Sequence, residues 1–214
     1  MNICICSLSD RPWLYDLTKP NLEKYCDKWG FDFKFCNHTL DINRAQAWSK
    51  LLFSKDILKS NKYDYVIWID DDILITDFNK DIRDFITTDK FIICQDDPQR
   101  NPAQQFLDYD DINTGFIFFK NDEETINIID HIYLMGGSSK YKTERNWEQN
   151  IIIDFYNKSD KNLCDIKPYR TFQSFHRGDN NLNQWVMGDF SSHFSGIDKD
   201  MRIVLINVLS NKIK

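Results

Sequence analysis

Apolar residues first gather in a short run over residues 2–8, the pattern of an opening strand. Over residues 21–29, Leu22, Tyr25, Cys26 and Trp29 recur at helical spacing, and Gly30 supplies a stop. Phe31, Phe33 and Phe35 then alternate with polar residues, the period of a half-buried strand. Residues 44–58 are predicted helical, with Trp48, Leu51, Leu52 and Leu58 on the apolar face. Residues 65–69 are strand formers and run into Asp70, Asp71 and Asp72. Residues 91–94 and 116–119 are further predicted strands, and 122–134 and 147–156 further helices; in the last, Trp147, Ile151 and Phe155 share a face. Strand and helix alternate through the first seventy residues, so the chain is predicted to be α/β with a mostly parallel, Rossmann-like sheet. Residues 136–139 read as a loop, and beyond about residue 160 the periodicity weakens, which predicts an irregular segment wrapped around one end of the sheet.

At 214 residues the chain is long enough for one buried core and short for two, so residues 1–214 are expected to form a single domain. Its net charge is −6, with no basic run, which argues against a nucleic-acid partner. An anionic ligand would therefore need local neutralisation, by a bound cation or by a few placed Lys and Arg. The first ten residues lack the basic start and apolar stretch of a signal peptide, and no run approaches the ~18 apolar residues of a membrane span. Cys4, Cys6, Cys26, Cys36, Cys94 and Cys164 form no Cys-x-x-Cys pair, which predicts reduced core thiols and a soluble, cytoplasmic protein.

The acidic triplet carries the sharpest chemistry. Carboxylates at the end of a buried strand are not core, and in open α/β sheets such strand ends face the ligand crevice. In an extended backbone Asp70 and Asp72 point to one side and Asp71 to the other. Two oxygen donors on one side suit Mg²⁺ or Mn²⁺ with positions left for phosphate oxygens; the plain alternative is an exposed acidic turn. An aspartyl-phosphate-forming phosphatase would want a Thr or Val where Leu74 stands, and a nucleotidyltransferase would want a glycine-rich loop after the first strand, whereas the first glycine is Gly30.

Arg44-Ala-Gln-Ala-Trp-Ser-Lys50 followed by Tyr63-Asp-Tyr-Val-Ile-Trp-Ile-Asp70-Asp-Asp72 resembles the GT-A glycosyltransferases. Within them it is most similar to the family of Golgi galactosyl-, mannosyl- and xylosyltransferases. Asn113-Thr114-Gly115, Trp147-Glu148-Gln149 and the block from Gly188 to Gly196 containing His193 follow in that family's order, so the resemblance runs from about residue 2 to 202. It departs from the family in its middle Asp71 and in lacking a Cys after Gly196. The resemblance implies a metal-dependent transferase that moves a sugar from a nucleotide diphosphate, with a UDP-sugar as donor, to a glycan or glycoprotein hydroxyl, with retention of configuration.

It further implies Asp70, Asp72 and His193 as metal ligands, and a set with an imidazole favours Mn²⁺, with Mg²⁺ a second choice. Glu148 and Gln149, at a helix start, would lie beneath the sugar. Asn113 and Thr114, in a turn, would bond its hydroxyls, with Asp110 and Asp111 placed to share that work. Ser7, Asp10, Tyr15, Arg44, Lys50 and Asp71 are candidates to touch the nucleotide sugar, with Tyr15 a possible stacking ring. Gly196 would let the backbone approach the diphosphate, and Lys199 could reach it. An inverting enzyme would instead take its base from Asp97, Asp110 or Asp111, and a non-catalytic sugar-binding module would be marked by loss of a metal ligand.

Overall fold

In the computed structural model of the chain, which describes residues 1–95, 112–137, 147–158, 164–176 and 184–213, β1 (Ile3–Leu8) is buried at every position. A continuous apolar run suits a strand covered on both faces. Around it a sheet forms in the order β2-β1-β3-β6-β5-β7, with β2 at Asp32–Cys36, β3 at Tyr65–Ile69, β5 at Phe91–Gln95, β6 at Ile112–Lys120 and β7 at Cys164–Lys167. The pairings β1–β2, β1–β3 and β5–β7 are parallel, while β6 runs against both β3 and β5. The sheet is thus mostly parallel, as the sequence pattern predicts.

Alternate strand residues feed two cores. Cys4, Cys6, Val66, Trp68, Ile117 and Phe119 pack on α2 (Ser49–Leu58), α3 (Glu123–Met135) and α4 (Trp147–Lys158). Ile3, Ile5, Ile67, Phe116 and Phe118 face Leu22, Tyr25 and Cys26 of α1 (Pro12–Trp29), together with Phe172 and Phe190. Each such side chain contributes roughly 1.5–3 kcal/mol on burial. The two cores therefore fix the sheet as a rigid floor for whatever lies at its edge.

Several boundaries differ from the expected ones. Helix α1 begins at Pro12, well before residue 21, because Pro is tolerated in the first turn. It passes through Pro20, whose missing N–H leaves the carbonyl of the exposed Asp16 to water. Arg44 and Ala45 precede a short 3₁₀ turn at Gln46–Trp48, and α2 starts only at Ser49. Asn113, Thr114 and Gly115 lie inside β6, not in a turn before it.

The C-terminal part is more regular than expected. β8 (Ser174–Phe175), β9 (Ser191–His193) and β4 (Ile73–Ile75) form a second sheet in the order β4-β9-β8, and α5 spans Lys199–Lys212. Ile206 and Leu209 of α5 bury against Leu14 of α1, Leu74 and Phe194. Met201, Val204 and Val208 of the same helix are exposed, which is why its periodicity is weak in the sequence. No described helix is long and apolar enough to cross a membrane. Cys4, Cys6, Cys26, Cys36 and Cys164 are free thiols.

Candidate functional site

After β3 the chain turns sharply, and the Ile73 N–H donates to the Asp70 carbonyl at 3.2 Å. The triplet is therefore not extended, and strand alternation does not sort its side chains. Its neighbours do. The turn sends β4 out of the main sheet to pair antiparallel with β9, with Ile73 opposite His193. That register, and a bond from the Phe194 N–H to the Asp72 carbonyl at 2.9 Å, brings the imidazole to the acidic turn. His193 Nε2 lies 3.1 Å from Asp72 Oδ1. One ligand atom from each of Asp70, Asp72 and His193 falls within 4.8 Å of the others.

Each carboxylate has its own partners. Asp70 Oδ1 accepts from the Trp68 indole N–H at 2.6 Å and lies 3.1 Å from Lys50 Nζ. Asp72 Oδ2 lies 3.6 Å from Arg202, a buried α5 residue that also donates to the Phe194 and Ile197 carbonyls. Asp71 turns away to a two-pronged pair with Arg11. Burial raises the Asp72 pKa, but the nearby His193 and Arg202 outweigh it and hold the group well below the usual carboxylate range. At Asp71, burial and the Asp72 charge prevail over Arg11 and push the pKa up to about 6.

The far side of the crevice comes from β6 and α4. Because β6 runs against β3, its first residues lie beside the end of β3, and the Asp70 N–H donates to the Gly115 carbonyl at 2.7 Å. Glu148 sits in the first turn of α4, where the helix dipole favours a carboxylate. Its Oε1 lies 2.8 Å from Lys50 Nζ and accepts from the Thr114 hydroxyl at 3.0 Å, while Oε2 is buried without a partner among the described residues. Burial disfavours the Lys50 charge, yet Asp70 and Glu148 prevail and raise its pKa. Gln149 Oε1 accepts from the Thr114 N–H at 3.2 Å. Asn113 Oδ1 accepts from the Gly115 N–H at 2.9 Å and from Gln173 Nε2 at 3.1 Å.

The structure thus gathers Lys50, Asp70, Asp71, Asp72, Asn113, Thr114, Glu148, Gln149 and His193 around one crevice of about 300 Å³, the low end of ligand-pocket size. Arg11, Trp68 and Gly115 line it too without having been expected, and Arg202 and Gln173 hold Asp72 and Asn113 from behind. Trp68 was readable, since its indole N–H stands only two residues before Asp70, whose carboxylate accepts from it. Arg202 was not, because its helix was not.

The other candidates lie elsewhere. Ser7 is buried without a partner for its hydroxyl among the described residues, and exposed Asp10 accepts from Thr39. Tyr15 packs on Phe35 beside a separate shallow groove with Lys19 and Asn37. Arg44 lies over the Tyr133 ring and anchors α2's approach. Gly196 adopts φ +77°, so glycine is required there by backbone conformation; a Cβ would meet open space. Lys199 is exposed, with Nζ over Trp13. Asp97, Asp110 and Asp111 fall outside the described residues.

Residues 6–202 match the model of the galactosyl transferase GMA12/MNN10 family. No curated protein matches the chain in sequence. Among solved structures, a glycosyltransferase involved in glycosylation of the major capsid of PBCV-1 is 17% identical with a TM-score of 0.74, covering 97% of this chain and 100% of its own. The galactosyltransferase LgtC, solved with donor and acceptor sugar analogs, is 13% identical with a TM-score of 0.57, covering 99% and 96%. The shared fold is GT-A.

Proposed function

Since the chain belongs to the galactosyl transferase GMA12/MNN10 family and is a glycosyltransferase of the GT-A kind, we propose that it moves a sugar from a UDP-sugar to a hydroxyl of a glycan or glycoprotein, with a divalent cation and retention of configuration. The observation that carries this reading is the meeting of Asp70, Asp72 and His193 within 4.8 Å in the wall of one crevice. Two carboxylate oxygens with an imidazole nitrogen fit Mn²⁺ better than Mg²⁺. The charges fit too: among the described residues, Asp70, Asp71, Asp72 and Glu148 face only Arg11, Lys50 and Arg202 as fixed cations. A cation held there would offset the negative charge that gathers on the leaving diphosphate.

The chain's own residues account for the other half of the charge separation. As the bond from C1 to the phosphate oxygen breaks, the sugar becomes cationic. Glu148, with one oxygen fixed by Lys50 and Thr114, sets a carboxylate in a buried wall. Thr114 also fixes the Gln149 amide, so neither group must reorganise as charge develops. With no base required beside the acceptor, its proton passes to the leaving diphosphate on the same face, and the sugar keeps its configuration.

UDP release from UDP-glucose, UDP-galactose and UDP-xylose, measured with Mn²⁺ and with EDTA, tests the proposal. Release is expected for one donor only with the metal, and Gln149→Ala should lower its kcat by about 10²-fold while leaving UDP affinity unchanged. Metal-independent release would sink the metal claim. An inverted product anomer by proton NMR would discard retention and turn attention to Asp97, Asp110 and Asp111.

A further inference from the structure

The two buried amides of Asn113 and Gln173 constrain one another. Asn113 is 3% exposed and lines the crevice, and Gln173, between β7 and β8, is 1% exposed. The backbone N–H of Gly115 points at the Asn113 amide at 2.9 Å. A backbone N–H only donates, so the atom that meets it is the amide oxygen. Gln173 reaches that same oxygen at 3.1 Å and must present its NH₂ group. This orientation leaves Gln173 Oε1 buried without a partner among the described residues. Turning the Gln173 amide over would set oxygen against oxygen, so the contact with Asn113 holds it in place. A buried acceptor left unsatisfied calls for a reason, and the orientation of Asn113 supplies one.

With Oδ1 committed to two donors, the polar atom that Asn113 has left for the crevice is Nδ2, which carries only N–H groups. We propose that Gln173 is a positioning residue: with the Gly115 N–H it locks the Asn113 amide so that the crevice wall offers a hydrogen-bond donor, and so selects a transferred sugar that presents an acceptor oxygen at that point. The inference rests on the reading that the crevice holds the sugar of a nucleotide sugar. It adds a specificity device lying behind the wall. A side chain there with no donor would free the Asn113 amide to rotate, and the wall would then meet the sugar with either polarity.

Calorimetric Kd values for UDP, UDP-glucose and UDP-galactose, with Mn²⁺ present, give for each protein the affinity for sugar nucleotide relative to UDP. Gln173→Met keeps the length and removes the donor. Gln173→Leu, one atom shorter and also without a donor, serves if Gln173→Met fails to fold. For the sugar nucleotide that the native protein prefers, the relative affinity should fall about threefold in either variant, where the Asn113 amide is released. UDP affinity itself should hold in both. If UDP and sugar nucleotide weaken together, or the ratio stays at the native value, Gln173 is merely structural and the proposal is overturned. If the native protein binds neither UDP nor either sugar nucleotide, the reading of the crevice fails first and this inference goes with it.

Discussion

A Cβ added at Gly115 would lie 2.5 Å from His193 Cε1 and 2.9 Å from Asn113 Oδ1. Neither neighbour can give easily, because His193 is stacked on Phe175 and Asn113 is held by two donors. Gly115→Ala should therefore cost about 1–3 kcal/mol of stability, as overpacking does, and should weaken Mn²⁺ binding by displacing the imidazole. Urea unfolding and a Mn²⁺ titration check it; native metal affinity in the variant would remove His193 from the ligand set. Asp72 makes a second claim at this scale. Its pKa lies lower in the folded protein than the ~3.9 of an unfolded chain, so the folded state binds fewer protons. The stability this lends is complete above about pH 4 and is lost as pH falls below it. Metal-free protein should lose stability through that range, and Asp72→Asn should lose less; equal slopes in thermal melts from pH 3 to 6 would contradict the assignment.

Elements with a continuous apolar run or one clean apolar face were legible in the sequence. β1, β3, α3 and α4 stand where their apolar spacing puts them, within a residue or two at most of their ends. Those with mixed faces were not. α5 buries Ile206 and Leu209 but exposes Met201, Val204 and Val208, so its apolar residues trace no single stripe. Arg202 shows what that hid: from α5 it donates to the Phe194 and Ile197 carbonyls and approaches Asp72. Replacing it leaves two carbonyls and a carboxylate without their cation. Arg202→Met should cost about 3–5 kcal/mol, the scale of breaking a buried ion pair, and chemical denaturation would read it. A loss under 1 kcal/mol would mean that α5 docks through its apolar contacts alone.

At the scale of the whole molecule, the site exists because one strand is reversed and another leaves the sheet. The reversal of β6 brings Asn113 and Thr114 beside the end of β3, and the exit of β4 toward β9 delivers His193. The ordered blocks in the sequence named most of the residues that meet there, because each block is a short local pattern whatever the path between them. The path itself was not readable, and with it went Arg11 and Gln173, whose partners lie about sixty residues away. On the proposed function the acidic chain needs local cations to admit a diphosphate, and a divalent metal at Asp70, Asp72 and His193 would be one of them. Calorimetric titration of UDP into the native protein and Asp72→Asn, each with Mn²⁺ and with EDTA, tests that most directly. The native protein should bind UDP at least about tenfold more tightly with Mn²⁺, and Asp72→Asn should lose the difference; equal UDP affinity in all four conditions would contradict the account.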